Sequence, residues 1–477
     1  MQKKFFGNLF FLILLNLLVK PFWILGIDRA VQNTLGHEVY GEYFALLNFS
    51  FLLNIVLDLG ITNYNNRNLA QNQHLFNKYL GKLLSMKAML GLLYLVLTTI
   101  VAFIVGYNSN QWQILGILML NQFLVSLILF LRSNFSALFF FKTDSVISVL
   151  DRLLLILFCG ILLLYQDGAM LSLKYFVLAQ TAAYSLVALV CLVLLFRIKD
   201  KVRQRFNWGY SYVIFRQSLP FALLVLLMTI YTRTDSVMLE RMLPDGKASS
   251  GIYAQSYRIL ESLNMIAFLF STLLLPIFSN MLKKGENVQT IINGASKLLA
   301  LFSVSAFIII SVFNNELMHW MYTDVNEEGE LVLKALIICI LPISGTYIYG
   351  TLLTANGSLK ALNIMAVVGV LINILLNAIL IPEIGVLGAA LATVFTQSVT
   401  FLIQYYLSKR LVVDPNYRVT FSVLSYLCLG GIVVYLLHHF LSVELAIALS
   451  TLVLAIMALL LKLFDWQYLK ELLRSRG

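Results

Sequence analysis

Charge is what this chain has least of. Only 12% of its 477 residues are Asp, Glu, Lys or Arg, against about 25% in a soluble protein. That shortage excludes an ordinary cytosolic globule. A soluble chain of this length would divide into domains joined by polar linkers, and no long polar stretch interrupts it. Cysteine is scarce too. Cys159, Cys191, Cys339 and Cys428 lie far apart inside apolar runs, so they read as small buried hydrophobes rather than metal ligands. The five histidines form no pair at metal spacing on one helix face. Segments of ten residues with strict alternation are missing, which excludes a closed outer-membrane barrel. The start carries Lys3 and Lys4 before an apolar run but no small-x-small cleavage site, so it reads as a permanent span rather than a signal peptide.

What is present is apolar residue along the whole length, 60% of the chain, with 33 Phe, 23 Tyr and 5 Trp. At about 20 residues per crossing this predicts an all-α membrane protein of about fourteen transmembrane helices. They run from 8–32 and 40–64 through 386–408 to 419–440 and 443–463. Lys and Arg in short loops collect on the cytoplasmic side. With both termini inside, most of the 34 basic residues fall on that side, Lys87, Arg132 and Arg152 among them. The opposite side holds an acidic loop, Asn314 to Glu330. Topology thus accounts for the net charge of +11, and no nucleic-acid partner is expected.

The longest basic connection, 197–216, falls where two six-helix halves would join. Pro21 and Pro220, the charged groups Asp28-Arg29 and Arg233/Asp235, and the Gly-x-Tyr sequences at Gly41 and Gly251 repeat in order across it. The expected division is an N-terminal lobe 1–196, a basic linker 197–216, a second lobe 217–410, and two additional helices with a cytoplasmic tail, 411–477. Six helices per half give both halves one orientation, as in transporters built of parallel repeats.

An ionisable side chain at mid-membrane costs about 2.5 to 3.5 kcal/mol on the insertion scale, so it lines a wet cavity or is paired. Such residues concentrate in the first two helices of each half, and spans three to six are read as nearly free of them away from their ends. Lys20, Arg29, Arg233 and Arg258 are the expected substrate-binding residues, a cationic lining suited to phosphate oxygens. Asp28, Asp235 and Glu261 are the expected charge partners or coupling groups. Arg258 and Glu261 also stand at i,i+3, where they can neutralise each other. Pro21, Pro220, Pro276 and Pro342 fall within spans and are expected to bend them.

Leu35-Gly36-His37-Glu38-Val39-Tyr40-Gly41-Glu42-Tyr43 followed by Leu57-Asp58-Leu59-Gly60-Ile61 resembles the opening of Wzx-type polysaccharide flippases. These belong to the multidrug/oligosaccharidyl-lipid/polysaccharide exporter superfamily. Arg233-Thr234-Asp235-Ser236-Val237-Met238-Leu239 with Gly251-Ile252-Tyr253-Ala254 resembles the start of that family's second lobe. Asn373-Ile374-Leu375-Leu376-Asn377, Leu380-Ile381-Pro382 and Gly385 to Thr393 resemble its spans eleven and twelve. The resemblance implies two six-helix lobes, often with two further helices. It also implies movement of undecaprenyl-pyrophosphate-linked oligosaccharide, such as an O-antigen or other surface polysaccharide unit of the lipopolysaccharide type, from the inner to the outer leaflet.

The expected mechanism is alternating access in the bacterial cytoplasmic (inner) membrane, the basic residues taking the pyrophosphate while the prenyl tail stays in lipid. No cofactor and no metal site are expected; a coupling Na⁺ or H⁺ would act through Asp28, Asp235 or Glu261. Partners would be the lipid-linked oligosaccharide, membrane lipids, and a polysaccharide polymerase and glycosyltransferases. A cation-coupled multidrug antiporter of the same superfamily is the alternative, but it calls for an acidic cavity. A membrane glycan polymerase or ligase calls for a larger external loop than 314–330, so the chain is not read as an enzyme.

Overall fold

In hydrocarbon a backbone must satisfy its own N–H and C=O groups, and helices do so within one segment. The computed structural model describes residues 15–62, 65, 66, 69, 76–138, 140–165, 171–198, 208–412, 417–461 and 463, and all regular elements among them are helical. The beginning of the expected first span, most of the expected linker 197–216 and the basic residues near both termini lie outside the described residues.

The chain forms two compact units, Met1–Gly251 and Ile252–Gly477. In the first, helix α1 (15–22) runs through a π-helical turn, Trp23–Asp28, into α2 (Arg29–Leu52). Pro21 cannot donate to the carbonyl four residues back, and the wider turn follows two residues later. There follow α3 (Phe76–Val105), α4 (Ser109–Ala137), α5 (Phe141–Leu164), α6 (Leu173–Ile198) and α7 (Trp208–Met242). The expected span 40–64 is interrupted. Helix α2 stops at Leu52, a 3-10 turn covers Asn54–Leu57, and Leu59 (φ 42) and Gly60 (φ 80) take left-handed backbone. Helix α8 (Gly246–Lys284) begins in the first unit and continues into the second.

The second unit holds α9 (Gln289–Val312), α10 (Asn314–Met321), α11 (Glu327–Leu336), α12 (Ile340–Ala355), α13 (Leu359–Leu411), α14 (Tyr417–Phe440) and α15 (Val443–Leu460). Pro342 follows a 3-10 turn, Ile337–Cys339, that joins α11 to α12. Within α13 the backbone breaks at Ile384 and Gly385 (φ 59), so it is two helices end to end. Eleven of the described helices are long and apolar enough to cross a membrane. The difference from fourteen sits at the undescribed first residues, at the interrupted second span and at this double helix.

The distribution of polarity fits lipid rather than water outside. Phe103 is 78% exposed and Leu164 85%, while Asn48, Asn121 and Gln180 are buried in the first unit and Asn373, Asn377 and Gln404 in the second. Buried amides cross-link helices where lipid offers no competing partner. Thr181 Oγ1 donates to Asn121 Oδ1 at 2.7 Å, tying α6 to α4.

Two expectations need correction. Residues 314–330 are not one loop, because α10 and the start of α11 occupy most of them. Asn326 accepts from Gly329 N at 2.8 Å, and Glu327, Glu328 and Glu330 fill the first turn of α11, where carboxylates complement the helix dipole. Cys159, Cys191 and Cys339 are buried as expected, but Cys428 is exposed on α14.

Candidate functional site

One set of polar and ionisable residues of the first unit lies on α1, its π-turn and the helices beside them. Asn16 Nδ2 donates to Ser148 Oγ at 3.0 Å, pinning α1 to α5. One helical turn further along, Lys20 interacts electrostatically with Asp151 and Arg152 of α5 and with Arg132 of α4. Arg132 Nε donates to Asp144 Oδ1 at 2.8 Å, and Arg152 Nη1 donates to the Tyr184 hydroxyl at 3.2 Å. Asp28 closes the π-turn, is buried, and accepts from the Tyr40 hydroxyl at 2.7 Å. Tyr43, edge-on to Tyr40, receives Gln180 Nε2 at 2.9 Å. Arg29 is half-buried, and its backbone N–H reaches both Ile24 O and Gly26 O.

Arg233 and Asp235 stand two residues apart on α7. Arg233 Nη1 donates to Asn48 Oδ1 at 3.1 Å, and its guanidinium lies 5.0 Å from the Phe51 ring centroid, a cation–π contact. Asp235 is buried. Lys20, Asp28, Arg29, Arg233 and Asp235 therefore belong to the first unit. Arg258 and Glu261 belong to the second, where they form a 2.7 Å ion pair on successive turns of α8.

Sequence reading missed three charged positions. Spans three to six are not free of buried charge. Lys87, counted among the cytoplasmic charges, is 2% exposed on α3. Its Nζ donates to Asp58 Oδ1 at 2.5 Å, Leu57 O at 3.0 Å and Ser126 Oγ at 2.9 Å. Three donors are satisfied by three acceptors, which makes its burial tolerable. Arg132 and Arg152, also counted as cytoplasmic, are half-buried on α4 and α5, where they donate to Asp144 and Tyr184. The signal for Lys87 was its position well inside an apolar run; Arg152, eleven residues beyond the start of α5, carried the same signal. Among the described residues, no group of three His, Cys, Asp or Glu side chains could hold a metal ion.

Residues 6–282 match the model of a family described as "polysaccharide biosynthesis protein". An uncharacterized membrane protein of Methanocaldococcus jannaschii is 26% identical over 396 residues, 77% of this chain and 89% of the relative. Among solved structures, the lipid II flippase MurJ in an inward-closed conformation superposes with a TM-score of 0.72 at 14% identity, covering 92% of this chain and 96% of that one. An inward-facing multidrug resistance MATE transporter of the MOP superfamily gives 0.60 at 14% identity, covering 84% and 94%. At such identities the likeness is one of fold.

Proposed function

The chain belongs to the polysaccharide biosynthesis protein family, and on that premise we propose that it is a flippase for undecaprenyl-pyrophosphate-linked oligosaccharide. It moves the lipid from the cytoplasmic to the outer leaflet of a bacterial inner membrane by alternating access. The observation that carries this reading is cationic side chains held within an apolar helical bundle, Lys20, Arg29 and Arg233 in the first unit and Arg258 in the second. Buried guanidinium and ammonium groups are costly in lipid and are kept where an anion or a partner charge meets them. Family and fold support transport of a lipid-linked substrate, and the fold is all-helical like that of MurJ.

In this proposal the N-terminal six-helix lobe is 1–196, the linker 197–216, the second lobe 217–410 and the additional helices 411–477, with both termini cytoplasmic. Asp28, Asp235 and Glu261 answer to a coupling Na⁺ or H⁺, and a polysaccharide polymerase and glycosyltransferases act on the same glycan. Translocation requires the substrate or ion to bind two conformations with different affinity.

The test is transport of lipid-linked oligosaccharide in proteoliposomes. Arg233→Ala and Arg258→Ala are expected to insert normally and to lose translocation. Unchanged transport in both variants would remove the cationic-site proposal.

A further inference from the structure

We infer that the break in the second span is a binding site for a monovalent cation, and that the protein fills it with a cation of its own, the Lys87 ammonium. The inference concerns the first unit alone and goes beyond the flippase reading, which it neither needs nor decides.

The break makes the site. An α-helix continued through Leu57 would bring the Ile61 N–H to the Leu57 carbonyl. Here Leu59 and Gly60 take left-handed backbone, and Ile61 N donates to Asp58 O at 2.8 Å instead. The Leu57 carbonyl loses its helical donor, and in an apolar bundle something else must meet it. Lys87 Nζ does so at 3.0 Å and Ser126 Oγ at 3.3 Å. Leu59 carries a side chain that disfavours its conformation (φ 42), so the turn is held in place rather than relaxed, as backbone at functional sites often is.

The acceptors are those of a cation site. A backbone carbonyl, a carboxylate and a hydroxyl surround the ammonium: Leu57 O at 3.0 Å, Asp58 Oδ1 at 2.5 Å and Ser126 Oγ at 2.9 Å. Unwound carbonyls are what broken membrane helices offer to Na⁺, and oxygen is what hard cations take. The Phe130 ring centroid lies 5.8 Å from Nζ and adds an aromatic face. A neutral donor would satisfy the carbonyl and the hydroxyl, but the carboxylate calls for a positive charge.

The tether sets the behaviour. Lys87 reaches the site from α3 and is 2% exposed, and its three donors have their three acceptors. A covalently attached ligand binds at a fixed effective concentration, so the break closes without a dissolved ion. The Asp58 side chain keeps 25% of its surface open, so the position is reachable from outside the protein once the ammonium is removed.

The experiment uses the full chain in nanodiscs of zwitterionic lipid, at constant ionic strength so that general screening is unchanged. Amide hydrogen exchange is followed at Asp58, Leu59, Ile61 and Thr62, whose N–H groups bond within the turn. Lys87→Ala vacates the position of the ammonium and leaves the three acceptors. In choline chloride it is expected to exchange at these amides about tenfold faster than the wild type. Methylammonium, the severed end of the lysine side chain, is expected to restore most of the protection, and the wild type is expected to be equally protected in both salts. Restoration by methylammonium alone assigns the site to N–H-donating cations, whereas restoration by sodium or potassium as well assigns it to small monovalent cations at large. Equal exchange of Lys87→Ala in every salt overturns the site and leaves Lys87 a structural cap. Restoration that persists in Lys87→Ala/Asp58→Asn overturns it too, because the carboxylate would then play no part, as does wild-type protection that falls in choline. Should Lys87→Ala fail to fold in choline, its preparation in methylammonium decides: a monodisperse protein there supports the site, and none in either salt overturns it. None of these measurements involves lipid transport, so the flippase reading stands or falls separately.

Discussion

Gly41 and Gly251, the glycines of the two Gly-x-Tyr sequences, meet across α2 and the start of α8. A Cβ on Gly41 would overlap the Lys247 carbonyl oxygen, and one on Gly251 would overlap the His37 carbonyl. Two backbones approach this closely only where neither residue carries a side chain. Gln32 Nε2 donates to Gly251 O at 3.1 Å, and Lys247 pairs with Glu42 at 3.2 Å beside the contact.

Alanine at either glycine is therefore expected to force these helices apart. Overpacking of this kind costs about 1–3 kcal/mol. Gly41→Ala and Gly251→Ala should each lower the melting temperature, and the double variant should cost less than the sum, because one separation relieves both overlaps. Full additivity in a thermal-unfolding cycle would argue against the shared contact.

Lys87 ties the broken end of the second span to α3 and α4 through Asp58, Leu57 and Ser126. Removing one member of a buried ion pair costs roughly 3–5 kcal/mol when both are sealed. Asp58 is 25% exposed and also accepts from the Thr62 backbone and hydroxyl. A loss of about 2–3 kcal/mol is therefore expected for Lys87→Met. Asp58→Asn added to it should restore part of that loss in equilibrium unfolding from mixed micelles.

Glu328 Oε1 accepts from the Val386 backbone N–H at 3.1 Å, beside Gly385. It caps the second half of α13 from a neighbouring helix, and caps are worth about 1 kcal/mol. Glu328→Ala is expected to speed amide hydrogen exchange at 386–389, whereas Glu328→Gln, which keeps an acceptor, should restore most protection.

His438 Nε2 and Glu316 Oε1 lie 2.7 Å apart. Burial pushes the Glu316 carboxyl up, but the His438 hydrogen bond, a backbone bond and the charges of His438 and Lys334 outweigh it and hold it below its ordinary value. The folded carboxyl is the stronger acid, so its contribution is present above the ordinary carboxylate value of 4.5 and lost as pH falls through the lower folded value. Melting of the wild type should decline in that acidic window more steeply than melting of Glu316→Gln. Parallel curves would show that the pair adds nothing.

The acid-rich stretch 314–330 shows where local reading stopped. Its charge density suggested a loop, yet Asn326 followed by Glu327, Glu328 and Glu330 is the pattern of a helix start, and it was there to be read. The grouping of Lys20 with Arg132 and Arg152 was not. Lys20 lies more than a hundred positions from either arginine, and their grouping depends on the rotation of α1, α4 and α5 about their axes. The Arg258–Glu261 pair, by contrast, follows from i,i+3 spacing alone, and the structure bears it out.

Hydropathy accumulates along a chain residue by residue, so the sequence alone determined that this protein is helical, crosses a membrane repeatedly and carries charge where lipid penalises it. Which charges meet was decided by the tertiary structure. Burial in lipid obliges each ionisable group to find a partner but leaves the choice to helix packing. That packing set Lys87 on Asp58, Asp28 on Tyr40 and Arg233 on Asn48.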